Sequence, residues 1–388
     1  MKKILFMLLM VLTATVVQAY DVNIDGFYYN LDKENMEAAV TGKYPNNKTY
    51  LKLPTPEYTG DIVVPKTIEY DGETYTVTEI GKDAFESCTG LTSITLPETI
   101  RVISDNAFDG CTGITSITLP ESLETIEREA FQSCEHLKAV NIPEGVKSIG
   151  VAAFKYCYEL ESINLPESLT KIYANALAGC HSLRTLHIPA GVTYLGGSIL
   201  EATENLVQVT VDEDNPVYDS RDNCNGIIET ASNRLFAATT ITRIPESVTN
   251  IRISAFSGLH NLYELTIPAS VLEVEHGFVF SCNNLKDVYS YSETLPTNSI
   301  LPFGDYFYKE ATLHVPAELL ELYKSSTPCW CDFKEIVPIE TTAVRNIDCA
   351  DALAEECYSP DGQITGRGYK GIGIIRKADG SVSKRIIK

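Results

Sequence analysis

Five cysteines, Cys88, Cys111, Cys134, Cys157 and Cys180, stand at a strict spacing of 23 residues. Such a row can bridge as disulfides, hold a soft metal ion, or pack as small apolar groups. The neighbours favour packing. Each Cys lies three residues after an apolar side chain (Phe85, Phe108, Phe131, Phe154, Leu177) and three before another (Leu91, Ile114, Leu137, Leu160, Leu183). Leu259 later takes the cysteine's place and Cys282 restores it, and leucine can neither bridge nor ligate. Stacked thiols are therefore the first reading, with pairing between adjacent coils and metal ligation as the alternatives.

Other residue types that carry chemistry are scattered. His136, His181, His187, His260, His276 and His314 form no H-x-x-x-H pair of the kind that presents two imidazoles to zinc from one helix face. Cys329 and Cys331 flank Trp330 more closely than a C-x-x-C site requires. Gly366, Gly368 and Gly371 satisfy G-x-G-x-x-G, but "IGIIRK" follows, strand-like where a dinucleotide site needs a helix N-terminus. No G-x-S-x-G elbow is present, and no carboxylate pair is placed across a cleft. The chain reads as a protein without catalytic chemistry and without a cofactor.

The elements that position these residues are repeats. "AFESCTGLTSITLPETI" (84–100) returns as "AFDGCTGITSITLPESL" (107–123). Further apolar columns run Ile94, Ile117, Val140, Ile163, Leu186, Val209 and Ile80, Ile103, Ile126, Ile149, Ile172, Leu195; both resume at Leu265 and Ile251. In "TSITLP" the alternation sends Ile94 and Leu96 to one face of a short strand and Ser93 and Thr95 to the other. Proline then ends the strand, because it has no N–H for the ladder. The "AF" segment reads as a tight helical turn that drops its Phe inward. A single unit cannot bury its own apolar face, whereas stacked units bury a continuous one, so a period of 23 predicts a solenoid with a concave sheet.

These columns resemble the bacterial BspA-like leucine-rich repeat family, whose unit reads close to I-G-x-x-A-F-x-x-C-x-x-L-x-x-I-x-L-P-x-S-V. The resemblance implies a β-rich leucine-rich-repeat solenoid with short helical turns over 80–290. It also implies an N-terminal β cap over 20–79 and a C-terminal cap over 291–338. Asp/Asn/Gly turns around "GIIET" and "RLFAA" predict a hairpin insert at 212–240. After a linker at 339–357, residues 358–388 alternate β-prone pieces with Gly/Asp turns. They resemble the C-terminal sorting domain of the type IX secretion pathway, which implies a surface or secreted destination.

The N-terminus agrees with export. Met1-Lys2-Lys3 precedes an apolar run from Ile4 to Val17, too short to span a bilayer, and Val17-Gln18-Ala19 is a small-x-small cleavage signal. Cleavage after Ala19 removes Lys2 and Lys3 and takes the formal charge from −21 to −23. Such a chain repels nucleic acid and anionic lipid, and no later stretch is apolar enough to cross a membrane.

With chemistry set aside, function falls to exposed rows. One row of the concave sheet reads Ser93, Ser116, Ala139, Ser162, Thr185, Gln208, then Glu264 and Asp287. Charged and aromatic anchors gather toward the C-terminal half, and Arg184, His187, Tyr263 and Tyr289 are the candidate contacts for a partner. After the strand prolines stand Glu98, Glu121, Glu144 and Glu167. At a coil spacing of about 5 Å, two such carboxylates in water repel by roughly 0.8 kcal/mol. This row is either a solvated Pro-Glu-Ser turn or a rim for Ca²⁺ or a basic partner. The expectation is an exported, monomeric, non-catalytic binding protein for host matrix proteins or another cell surface. The family's association with adhesion supports it. A lectin-like glycan binder using Tyr263 and Tyr289 is the alternative, and a structural spacer is the third.

Overall fold

The computed structural model describes residues 20–42, 58–298, 303, 307–326, 330–339, 356–358, 371–376 and 382–387. The expected leader 1–19, most of the expected linker 339–357, Gly366, Gly368 and Cys329 lie outside the described residues. The chain forms two units, Met1–Val337 and Pro338–Lys388.

In the first unit the 23-residue period becomes strand register. Ala139↔Ser162, Thr185↔Gln208 and Glu264↔Asp287 are parallel pairs, so equivalent residues of successive coils stand side by side. These strands form the face read from the sequence as the concave sheet, and we refer to it as the long-strand face. A second side of each coil carries the two-residue strands Val102–Ile103, Thr125–Ile126, Ser148–Ile149, Lys171–Ile172 and Tyr194–Leu195, also parallel. Their isoleucines are buried and their preceding residues are not.

The Ala-Phe segments make the third side. They are single turns that never propagate into a helix, because each coil holds two residues at positive φ, such as Asp83 and Ser87 or Asn106 and Gly110. Alternate N–H groups then point along the solenoid. Asp83, Phe85 and Ser87 donate to the carbonyls of Asp105, Ala107 and Asp109 at 3.0, 2.8 and 2.6 Å. Inside, Phe85, Phe108, Phe131 and Phe154 stack with centroids 5.1–5.2 Å apart and planes within 11°. Each buried ring removes apolar surface worth roughly 1.5–3 kcal/mol from water.

The cysteine column lies in this core, and it does more than fill space. The thiols of Cys111, Cys134, Cys157 and Cys180 donate to the Phe85, Phe108, Phe131 and Phe154 carbonyls at 3.0–3.3 Å. Cys282 does the same to Phe256 at 2.9 Å. Cys111, Cys134, Cys157, Cys180 and Cys224 are thiols, not disulfides. Burial pushes the column's thiols up, Cys180 to about 12, so they hold their protons and are poor nucleophiles and poor metal ligands. Thr203 occupies the column in the next coil, fully buried, with its hydroxyl donating to the Leu200 carbonyl at 2.8 Å.

At the N-terminal end an antiparallel meander, Val22–Ile24, Phe27–Asp32 and Glu37–Thr41, leads into Glu73–Ile80, which pairs with the first short strand. Tyr58 closes the Phe stack edge-on at 4.9 Å from Phe85. The predicted hairpin is Gly226–Glu229 against Arg234–Ala238, with Tyr218–Asp219 added as a third antiparallel strand. Arg234–Ala238 continues in parallel with Asn250–Ile251, and Ala202 N–H bonds across to Ser257 O at 3.1 Å, so the insert replaces part of a coil without ending the stack. At the far end Trp330 packs edge-on against Phe303 and Tyr323, with Phe333 also on Phe303. In the second unit the described residues include a three-stranded antiparallel sheet, Glu356–Tyr358, Gly371–Arg376 and Val382–Ile387. Gly371 therefore opens a strand, and no helix follows it among the described residues.

The thiol column is expected to be silent to a thiol reagent at about pH 8 in the native protein and fully reactive after denaturation without reductant; missing thiols in the denatured titration would reveal disulfides. Asp109 gives a second check. Its half-buried carboxyl is lifted to about 6 by desolvation, with Glu129 and Asp83 adding and the Gln132 amide opposing. A raised acid favours the fold when protonated, so this contribution is full below the ordinary carboxylate range and lost as pH rises through about 6. Asp109→Asn should raise the melting temperature at about pH 7.5 and leave it unchanged at about pH 4.

Candidate functional site

The long-strand face repeats one rule in every coil. Two residues open to solvent follow the buried Leu or Ile, then a buried aliphatic, then another open residue; Thr210, Asp287 and Tyr289 are half-buried and the others exposed. The side chains available to a partner are thus three rows whose spacing is set by coil stacking, about 5 Å.

The four predicted contacts fall into two groups, on separate strand pairs before and after the insert. In the first, Arg184 is exposed, and its guanidinium makes no ion pair among the described residues. His187 shares a hydrogen bond between Nδ1 and Thr210 Oγ1 at 3.0 Å, with Nε2 3.9 Å from Asp212. In the second, Tyr263 is 56% exposed and Tyr289 is half-buried. The Tyr289 ring stacks on His314, with centroids 4.1 Å apart and planes 10° apart. His314 Nε2 lies 2.8 Å from Asp287 Oδ1, and Asp287 is in register with Glu264. Burial first, then the carboxylates of Asp287 and Glu264, raise the Tyr289 phenol. Aromatic rings, an imidazole and two adjacent carboxylates thus share one small surface.

His314 is the member that sequence reasoning passed over. It pairs with Tyr289 at a separation of 25 residues, outside the 23-residue column. A signal was nevertheless present, because "TLHVP" at 312–316 repeats "TLHIP" at 185–189.

The glutamate row is exposed, and its carboxylates cap backbone groups. Glu98 Oε2 accepts the Glu121 N–H at 3.1 Å, and Glu144 accepts the N–H groups of Glu167 and Ser168 at 3.4 and 3.3 Å. Among the described residues, no group of three or more His, Cys, Asp or Glu side chains is arranged to hold a metal ion. Two open recesses beside the insert, of about 420 and 330 Å³, include none of the predicted site residues. No helix among the described residues is long and apolar enough to cross a membrane.

Residues 76–214 and 226–312, more than half of the chain, match the family model described as "BspA type Leucine rich repeat region", in six copies. The chain belongs to this family. Its fold is also that of a leucine rich cell surface protein from Faecalibacterium prausnitzii, 23% identical over 83% of this chain and 95% of that one, with a TM-score of 0.55. The pneumococcal vaccine antigen PcpA is 18% identical over 82% of this chain and 98% of its own, with a TM-score of 0.56. No curated protein matches the chain.

The glutamate row generates a test. Reversing Glu121 and Glu144 to lysine should abolish any weak, salt-sensitive binding of a basic protein if the row is a partner rim. Unchanged binding, with only a small loss of stability of about 0.5–1.5 kcal/mol, would assign it to backbone capping alone.

Proposed function

We propose that the chain is an exported, non-catalytic binding protein, secreted or held at the cell surface, that engages a protein partner through the long-strand face. The observation that carries this reading is the second group of contacts. Tyr263, Tyr289 and His314 supply rigid rings, while Glu264 and Asp287 stand in register on neighbouring strands. Aromatic anchors lose little side-chain entropy on binding, and a carboxylate pair desolvates favourably only against a cation. The partner surface is therefore basic, which also suits a chain of formal charge −21. Membership of a family of repeat scaffolds and the description of a structural relative as a cell surface protein support the surface location. The apolar leader supports export, with cleavage after Ala19.

The test is a pull-down from extracellular matrix and cell-surface fractions with the mature chain, followed by surface plasmon resonance on what is captured. Tyr263→Ala with Tyr289→Ala should weaken binding by about 2 kcal/mol or more, whereas Arg184→Ala with His187→Ala should cost less than about 1 kcal/mol. Capture that survives the tyrosine pair would displace the reading, and glycan-only binding lost with those tyrosines would favour a lectin-like role. Absence of any partner would favour a spacer.

A further inference from the structure

A second surface stands out on the third side of the coils, away from the long-strand face. In the column Ser87, Gly110, Ser133, Tyr156, Gly179, Ala202, Gly258 and Ser281, every residue has positive φ. Small residues belong there, because a side chain in the left-handed region crowds its own backbone. Tyr156 is the exception, at φ 63. Its ring reaches over the next coil, where a Cβ at Gly179 would lie 2.6 Å from Tyr156 Cδ1. A bulky residue at a strained position, adding nothing to the core, is the kind of outlier from which function is inferred.

The ring does not stand alone. Tyr156 and Tyr158 are 40% and 37% exposed, with centroids 5.9 Å apart, and Lys155 Nζ lies 4.8 Å from the Tyr156 centroid. His181, one coil on, stacks on Tyr158 at 5.2 Å with planes 14° apart. It covers one face of Tyr158. Next along the row, His136 of the preceding coil has Nδ1 2.9 Å from Glu159 Oε1, and both side chains are about half exposed. On the far side His181 Nδ1 lies 2.8 Å from Glu204 Oε2. Neither tyrosine hydroxyl has a hydrogen-bond partner among the described residues.

We propose that this ridge binds a neutral oligosaccharide. A pyranose presents an apolar C–H face edged by hydroxyls that both donate and accept. Exposed tyrosine rings match the face. The imidazoles of His136 and His181 and the carboxylate of Glu159 match the hydroxyls, while the more buried Glu204 holds His181 in place. Sulfated or uronic-acid glycans are disfavoured, because Lys155 is the one cation of the ridge that does not depend on imidazole protonation and the chain is strongly acidic. This site is independent of the protein-binding reading, since it shares no residue with the long-strand contacts.

Isothermal titration of the mature chain with cellotetraose, mannotetraose and chitotetraose tests it, with a heparin tetrasaccharide as the acidic control. At least one neutral tetrasaccharide should bind and the heparin fragment should not. Tyr158→Ala and Tyr156→Ser should each weaken binding about tenfold or more, while Tyr263→Ala leaves it unchanged. Serine already serves at three positions of the Tyr156 column, so Tyr156→Ser should melt no lower than the wild type. The proposal fails if no neutral tetrasaccharide binds at millimolar concentration. It also fails if binding persists in both ridge variants, or if Tyr263→Ala abolishes it.

Discussion

No coil of this protein satisfies its own backbone. Each of its three sides bonds to a neighbouring coil: Lys138 N–H to Thr115 O on the long-strand face, Gly150 N–H to Ile126 O on the short-strand side, and Phe131 N–H to Ala153 O at the Ala-Phe turn. A buried amide left unpaired costs about 1–3 kcal/mol, so equivalent residues must meet in register around the whole circumference. The fixed period of 23 follows from that requirement. So does the form of the insert, which brings its own antiparallel strands and rejoins the stack through Arg234–Ala238 and the Ala202–Ser257 bond.

The same register divides the side chains into two kinds. Inward columns meet their own copies, which favours groups that stack on themselves: parallel Phe rings, aliphatic chains, and thiols that donate to the carbonyl of the coil before. Outward rows meet their copies too, and there like charges in line are unfavourable. The protein answers with pairs linking successive coils, such as Asn164 to Asn141, Asn106 to Asp83 and His136 to Glu159. Carboxylates do stand in line in two places: the Glu98–Glu167 row, where they accept backbone N–H groups of the next coil, and Glu264 beside Asp287, relieved on one flank by His314. That carboxylate pair is what the proposed basic partner would meet, whereas the rows before it offer mainly Ser and Thr.

Charge at a distance works in the same direction. A strongly acidic solenoid attracts cationic surfaces and discourages self-association, and it does so more effectively at low salt. In the proposed function the rings set where contact is made. Tyr263 and the Tyr289–His314 stack lie within the acidic surface, whereas Tyr156 and Tyr158 lie beside Lys155 and the imidazoles of His136 and His181. The first surface sets its carboxylates side by side, whereas in the second each carboxylate faces an imidazole, a difference that suits two kinds of ligand.

Periodicity alone determined the solenoid, the inward columns, the strand-ending prolines and the place of the insert, because each of these is a local pattern copied at a constant interval. It also identified the cysteines as core residues. What only the tertiary structure decided lies between coils. Thr203 stands in for a cysteine because a hydroxyl can find a carbonyl within its own turn. His314 joins Tyr289 across a coil of 25 residues in place of the usual 23. Tyr156 reaches the surface because its turn holds positive φ, a backbone property that residue type does not announce when the residue is tyrosine. The repeated pattern specifies which side chains face inward. Which exposed groups touch depends on register and backbone handedness, and those are set when the coils stack.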